Sequence, residues 1–95
     1  MKYEWDENKR IANIQKHGLD FADVHFVFED KNAITYLDDR NDYGEKRFIV
    51  IGKIEEQFVA YVCYTERKEK IRIISFRFAS KKERSHYNAN SQIHH

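Results

Sequence analysis

The chain is predicted to fold as one α+β domain: two N-terminal helices packed on a three- to four-stranded antiparallel sheet, followed by a C-terminal helix. Three observations predict it. Helix-start signals stand at Asp6, Asp20 and Ser80. Between the last two lie short stretches with the period-two apolar pattern of strands. The connections between those stretches are too short to carry parallel crossovers, so the sheet is read as a meander. With 95 residues, the chain has material for one modest core, since a chain this size buries only roughly 60 to 70% of its unfolded surface. One domain is expected over residues 1–90, with a polar, disordered tail at 91–95.

Tyr3-Glu4-Trp5 reads as a short entering strand. Asp6 is the N-cap of a helix whose first turn carries Glu7, an acid suited to the positive helix end. That helix runs to Lys16-His17, with Ile11 and Ile14 on one side and Gly18 as its stop. Asp20 caps the second helix, with Leu19 and Val24 forming a hydrophobic staple around the cap. Trp5, Ile11, Ile14, Phe21, Val24 and Phe28 are expected to cover one face of the sheet. Strands follow at Ala33–Leu37 and Arg47–Gly52, separated by the polar loop Asp38–Gly44. Phe58–Thr65 is the most continuously apolar strand, and is therefore placed centrally. The last strand, Ile71 to Phe78, leads into Ser80-Lys81-Lys82-Glu83, a capping box that starts the final helix.

Composition excludes several classes. Apolar residues make up 41% and charged residues 35% of the chain, and no apolar run approaches the ~20 residues of a membrane span. No basic-then-apolar leader pattern opens the chain, so a cytoplasmic protein is expected. The single cysteine, Cys63, sits in an apolar alternation and reads as a small core residue. Net charge is +1, but it is unevenly spread. Asp20 to Glu45 holds eight acids against two bases, a net of −6, and Thr65 to Tyr87 holds eight bases against three acids, a net of +5. The second segment makes a basic side suited to phosphates.

The familiar catalytic templates are absent. Gly18, Gly44 and Gly52 are too scattered for a phosphate-binding loop. Ser75 and Cys63 have no local activation signal. His25 has no ligand-spaced neighbour, and His94-His95 reads as a possible tag remnant. No cofactor or metal is expected. Phosphodiester chemistry remains, in which a 2′-hydroxyl of RNA attacks its own phosphate. It requires a proton acceptor, a proton donor and fixed cations on the transition-state charge. Arg47, Arg72 and Arg77 supply cations that can grip phosphate bidentately. Lys16, His17, Glu83 and Tyr87 are the proton-transfer candidates, and Tyr64 or Tyr87 can stack on bases.

The chain resembles the BrnT family of small ribonuclease toxins. The resemblance rests on Trp5-Asp6, Lys9, Asn13, Lys16-His17-Gly18, Phe21, Phe28, Gly44-Glu45 with Arg47, Gly52, and Arg72-Ile73-Ile74-Ser75 with Arg77, Ala79, Glu83, Arg84 and Tyr87. It implies a RelE-like fold with an RNA-cutting surface on the sheet's far side and edge. It also implies a BrnA-like antitoxin with a ribbon-helix-helix part, in a two-plus-two complex that reaches operator DNA only through that antitoxin. By the same resemblance, Lys16, His17, Arg47, Arg72, Ser75, Arg77 and Tyr87 form the active surface, with no membrane partner.

Two readings of the arginines stay open on the residues alone. They hold phosphate, or they are structural, with Arg77 paired to Glu83 or Glu66 in a non-catalytic binding module. Strict alternation puts Arg72 and Arg77 on opposite faces of their strand, so they share a phosphate only if Arg72 lies at an exposed strand end or the strand carries a bulge.

Overall fold

The structure is a computed structural model describing residues 2–93. Its elements run β1 (Lys2–Glu4), α1 (Glu7–His17), α2 (Val24–Glu29), β2 (Ile34–Asp38), β3 (Arg47–Glu55), β4 (Phe58–Arg67), β5 (Lys70–Phe78) and α3 (Lys81–Ile93), with one 3-10 turn (Phe21–Asp23) before α2. The strands form one sheet in the order β1-β5-β4-β3-β2. The expected α+β class holds, and the apolar strand β4 is indeed central. The sheet gains a fifth strand: β1 pairs parallel to β5, through Lys2 opposite Lys70 to Glu4 opposite Arg72. A parallel partner needs a long crossover, and the whole chain between β1 and β5 supplies it.

One sheet face is covered by α1 and α2. Asp6 caps α1 by accepting from the Asn8 N–H at 2.8 Å, and Gly18 ends it at φ +73°, donating to the Ile14 carbonyl at 2.8 Å. That left-handed position suits glycine, which has no Cβ to crowd it. Phe21, Val24 and Val27 are fully buried against Val62, Ile73 and Phe76, each large side chain contributing about 1.5 to 3 kcal/mol. At Gly52 a Cβ would stand 3.0 Å from the Val27 carbonyl and 3.2 Å from the Ala33 Cβ, so the end of α2 presses directly on β3.

The expected role of Ile11 and Ile14 is corrected: both are exposed, at 45% and 37%. α1 docks instead through Asn13, whose Nδ2 donates to the Phe76 carbonyl at 2.7 Å and whose Oδ1 accepts the Phe76 N–H at 3.1 Å. β1 pairs with β5 only up to Arg72, which leaves the outer edge of β5 unpaired at Phe76. The Asn13 amide stands in there for a missing strand. A second donation, to the Leu19 carbonyl at 2.9 Å, ties the helix to the turn that follows it.

The other face holds a second, smaller cluster of Ile49, Ile51, Val59, Tyr61 and Cys63 with Ala79 and Tyr87. The capping box forms as read, with the Ser80 N–H on Glu83 at 2.8 Å and the Glu83 N–H on the Ser80 hydroxyl at 3.2 Å. α3 then packs Tyr87 onto this face. The helix continues through Ser91 to Ile93, where a tail was expected from residue 91. His94 and His95 lie outside the described residues.

Candidate active site

β5 departs from regular alternation at one point. Cys63 pairs with Ser75 but the next residue, Tyr64, pairs with Ile73, so Ile74 is an extra residue on β5. A bulge of this kind turns two consecutive residues to the same side. Ile71, Ile73 and Phe76 therefore belong to the helix-covered core, while Arg72, Ile74, Ser75 and Arg77 share the other face. Strict alternation, which would put Arg72 and Arg77 on opposite faces, is thus broken by the bulge that would let them share one.

The open face can be laid out in rows across the strands. In one row Asp38 opposes Arg47, Thr65 lies one step beyond the Phe48–Tyr64 pair, and Arg72 opposes Thr65. Arg47 and Arg72 thus flank a single strand, about 10 Å apart at the backbone for two spacings of ~4.8 Å. In the next row Tyr36 opposes Ile49, Ile49 opposes Cys63, and Cys63 opposes Ser75. In the third, Ile34 opposes Ile51, Ile51 opposes Tyr61, and Tyr61 opposes Arg77. α3 packs beside this third row and the loop after β2 lies over the first, where Asp38 and Thr65 are buried, so the open side chains of the first two rows are Tyr36 and, in part, Arg47, Arg72 and Ser75.

The arginines differ in how far they are committed. Arg77 is fully engaged: Nη1 and Nη2 donate to the two Glu83 oxygens at 2.9 and 3.0 Å, Nη1 also reaches the Phe78 carbonyl at 3.1 Å, and the guanidinium lies 3.7 Å over the Tyr61 ring. Arg72 has only a 4.0 Å approach to Glu4. Arg47 stacks 3.9 Å over Tyr43 and stands 3.8 Å from Glu45, beyond hydrogen-bond reach. Its buried Nε has no hydrogen-bond partner among the described residues. A buried N–H without a partner is costly, about 1 to 3 kcal/mol, and Glu45 at 3.8 Å is too far to satisfy it.

Lys16 and His17 sit at the end of α1. Partial burial first, then the like charges of Lys16 and Arg77, push the His17 pKa below its ordinary 6.5, so the imidazole is neutral at neutral pH. The influence of the Arg77 charge on His17 is the link between the arginine face and the terminus of α1, a helix that itself packs on the other side of the sheet. Tyr87 is placed differently from the other candidates. It is 1% exposed, and its hydroxyl donates to Asp30 at 2.6 Å, bracing α3 against the end of α2. Burial and the Asp30 charge both push its pKa up, so the phenol stays protonated. Glu83, the other proton-transfer candidate on α3, is occupied by Arg77 and the cap.

Sequence reasoning missed one constellation. Asp38, with its side chain 2% exposed, accepts from Arg40 Nε at 2.8 Å and Nη2 at 2.9 Å, and Arg40 Nη2 also reaches the Tyr61 hydroxyl at 3.2 Å. The Arg40 guanidinium, foremost, lowers the Asp38 pKa to about 2. Asp38 and Arg40 are adjacent to the polar loop in sequence, and the alternation of Ile34, Tyr36 and Asp38 along β2 was the available signal.

Comparison with known proteins fits this geometry. A family model described as "Ribonuclease toxin, BrnT, of type II toxin-antitoxin system" matches residues 5–83, from the Trp5 start to the capping-box glutamate. The class is thus a ribonuclease toxin of a type II toxin–antitoxin system. A crystal structure of the Brucella abortus ribonuclease toxin BrnT is 34% identical, covers 85% of this chain and 99% of its own, and superposes with a TM-score of 0.68. The chain belongs to the BrnT family. No curated protein matches. No helix among the described residues is long and apolar enough to cross a membrane.

Proposed function

We propose that the face carrying Arg47, Arg72 and Ser75, with Lys16, His17 and Arg77 at its edge, is the RNA-cutting surface, and that it works by metal-independent attack of the substrate's own 2′-hydroxyl. The 2′-oxygen bonds to the adjacent phosphorus as the bond to the 5′-oxygen breaks, leaving a 2′,3′-cyclic phosphate and a 5′-hydroxyl. The observation that carries the reading is the Arg47–Arg72 pair on one row, with Arg47 holding an unbonded buried Nε. Two guanidiniums on either side of one strand match the charge that grows on the non-bridging oxygens. His17, neutral and beside cations, is suited to take the 2′-hydroxyl proton, and Lys16 to return one to the leaving oxygen. Ser75 lies on the same face, one row away, as a small hydroxyl partner for the phosphate. Arg77 serves mainly through its ion pair with Glu83, as a positioning group for His17 and α3. Tyr87, buried on Asp30, supports the surface rather than touching RNA.

The toxin works opposite an antitoxin, for which we propose a BrnA-like ribbon-helix-helix protein that covers this face in a two-plus-two complex. Operator DNA is then met only through that partner, in the cytoplasm. Exposed Ile11, Ile14, Phe58 and Phe78 lie toward the helix-covered side and offer apolar surface to any part of the partner that reaches round from this face. A non-catalytic binding module with structural arginines is favoured by the Arg77–Glu83 pair, whereas the carboxylate approaches of Arg47 and Arg72 are long, at 3.8 and 4.0 Å.

Purified protein is expected to cut RNA in excess EDTA and to leave cyclic or 3′-phosphate ends. Loss of cutting in EDTA with recovery on adding Mg²⁺, or products with 5′-phosphates, would sink the mechanism. Unchanged cutting by a double Arg47→Ala, Arg72→Ala variant would sink the site.

A further inference from the structure

We propose that the cleft beside Tyr36 is a base-recognition subsite of the RNA-cutting face, built to take a guanine next to the scissile phosphate. The inference rests on the RNA-cutting reading and adds to it the residues that choose where the RNA is cut.

The cleft encloses about 150 Å³ between Tyr36, Tyr61, Ile49, Arg40 and Asp39. At ~30 Å³ per water this is room for about five waters, the scale of one heterocycle and not of a whole nucleotide. It lies on the same face as the proposed chemistry. Tyr36 and Asp38 are alternate residues of β2, and Asp38 opposes Arg47, which puts the Tyr36 row about 7 Å along the strand from the Arg47 row. Tyr36 is 42% exposed and offers its ring as a stacking platform. The near face of Tyr61 already carries Arg77, so Tyr61 closes the far wall with its hydroxyl edge.

The polar groups are arranged and left partly unused. Arg40 is exposed, with 65% of its side chain open to solvent, yet three hydrogen bonds to Asp38 and Tyr61 hold it in one orientation. Fixing so mobile a side chain gives up rotamer freedom, and Asp38 is buried to do it. Arg40 Nη1 makes no hydrogen bond among the described residues. Asp39, on the rim, likewise has an uncommitted carboxylate. Burial, then the Glu83 charge, raises the Tyr36 pKa, so its hydroxyl remains a donor at neutral pH. Asp38 carries its own arginine and Glu83 is paired with Arg77, which leaves Asp39 as the carboxylate of the cleft without a cation among the described residues, open to base N–H donors.

A donor guanidinium beside a free acceptor carboxylate matches the edge of guanine, which presents the O6 acceptor next to the N1–H and N2–H donors. Adenine and cytosine present only one amino donor to the carboxylate, and uracil presents its single N–H between two carbonyls.

The test uses the full-length toxin and RNA oligonucleotides identical except for the base beside the cut, each made also with a 2′-O-methyl group at the cut site. Cleavage is measured on the first set and binding by fluorescence anisotropy on the second. The wild type is expected to prefer guanine about tenfold or more in both, given what a bidentate base contact is worth. Asp39→Asn and Arg40→Gln should bring that preference to within about twofold while cleavage persists, and Tyr36→Leu should weaken binding of all four oligonucleotides by similar factors. Melting curves accompany the variants, and the exposed Asp39 keeps the test valid if Arg40→Gln, which strands Asp38, fails to fold. A preference that survives Asp39→Asn, or a wild type that cuts all four bases equally, overturns the subsite and leaves the RNA-cutting reading standing. A wild type that binds with an Asp39-dependent preference for guanine but cuts none of the oligonucleotides supports the subsite and overturns the cutting reading.

Discussion

Arg72 and Arg77 look alike in sequence, five residues apart in one strand, and the structure separates them by their partners. Arg77 has two Glu83 oxygens and the Tyr61 ring; Arg72 has a single contact at the 4.0 Å limit. Their substitutions should therefore fail differently. Arg72→Ala is expected to lower cleavage about 100- to 1,000-fold, the scale of one lost transition-state donor, with little change in melting temperature. Arg77→Ala frees a partly buried carboxylate and should cost about 1 to 3 kcal/mol, or roughly 4 to 8 °C per kcal/mol in a domain this size. Parallel melting and cleavage assays check both. Equal effects on both readouts for both variants would contradict the division of roles. His17 gives a third residue-scale outcome. Since burial and neighbouring cations hold its pKa below 6.5, cleavage should rise with pH, with a midpoint below that of an ordinary histidine. Lys16→Gln removes one of those charges and should move the midpoint toward higher pH, which a pH–rate profile would show.

Among the elements, the outer edge of β5 needs the most explanation. β1 is too short to cover it, and Asn13 satisfies both groups of Phe76 from the side of α1. Asn13→Ala is expected to cost about 2 to 5 kcal/mol, because a buried N–H and C=O each lose their partner at roughly 1 to 3 kcal/mol. Asn13→Asp should cost at least as much as the alanine, since the oxygen that replaces Nδ2 has no proton to donate and faces the Phe76 and Leu19 carbonyls in a buried site. Chemical denaturation ranks the three proteins, and an alanine variant as stable as wild type would contradict the edge-closing role. The amide also explains why the apolar spacing of α1 misled: Ile11 and Ile14 keep helical period, but the helix is oriented by a polar contact on another side. The bulge at Ile74 is the other element-level decision, because it turns Arg72 and Arg77 to one face. Alternation along β5 is visible in sequence, whereas a bulge is defined by how β4 pairs with it. The caps, by contrast, were legible, since Asp6, Ser80 and Glu83 bond to backbone within three residues of themselves.

For the whole molecule, Asp30, Asp38, Glu83 and His17 act in one direction on acidification. The Asp38 pKa is lowered to about 2, chiefly by Arg40, and those of Asp30 and Glu83 are also lowered, by hydrogen bonds that outweigh their burial. Carboxylates depressed in the folded state contribute stability that is present above their ordinary values and lost as pH falls through the folded ones. His17 has the same sign: its folded pKa lies below the unfolded one, so its contribution is complete above 6.5 and declines as pH drops below. Denaturant midpoints should therefore be flat from pH 8 to 7, fall gently below 6.5, and fall steeply between about pH 4 and 2. A midpoint that rose on acidification would contradict the assignment.

Local chemistry was enough to determine the helix starts, the central place of the apolar β4, the α+β class and the basic segment, because caps, alternation and composition act within a few residues of chain. Tertiary structure alone decided which side chains meet. The bulge selected the arginine face, burial took Tyr87 from the surface to Asp30, Glu83 claimed Arg77, and Asp38 fixed Arg40 across from Tyr61. Each of these depends on pairing or docking between segments far apart in sequence. Their energies come from desolvation and from partners that no single stretch of the chain contains.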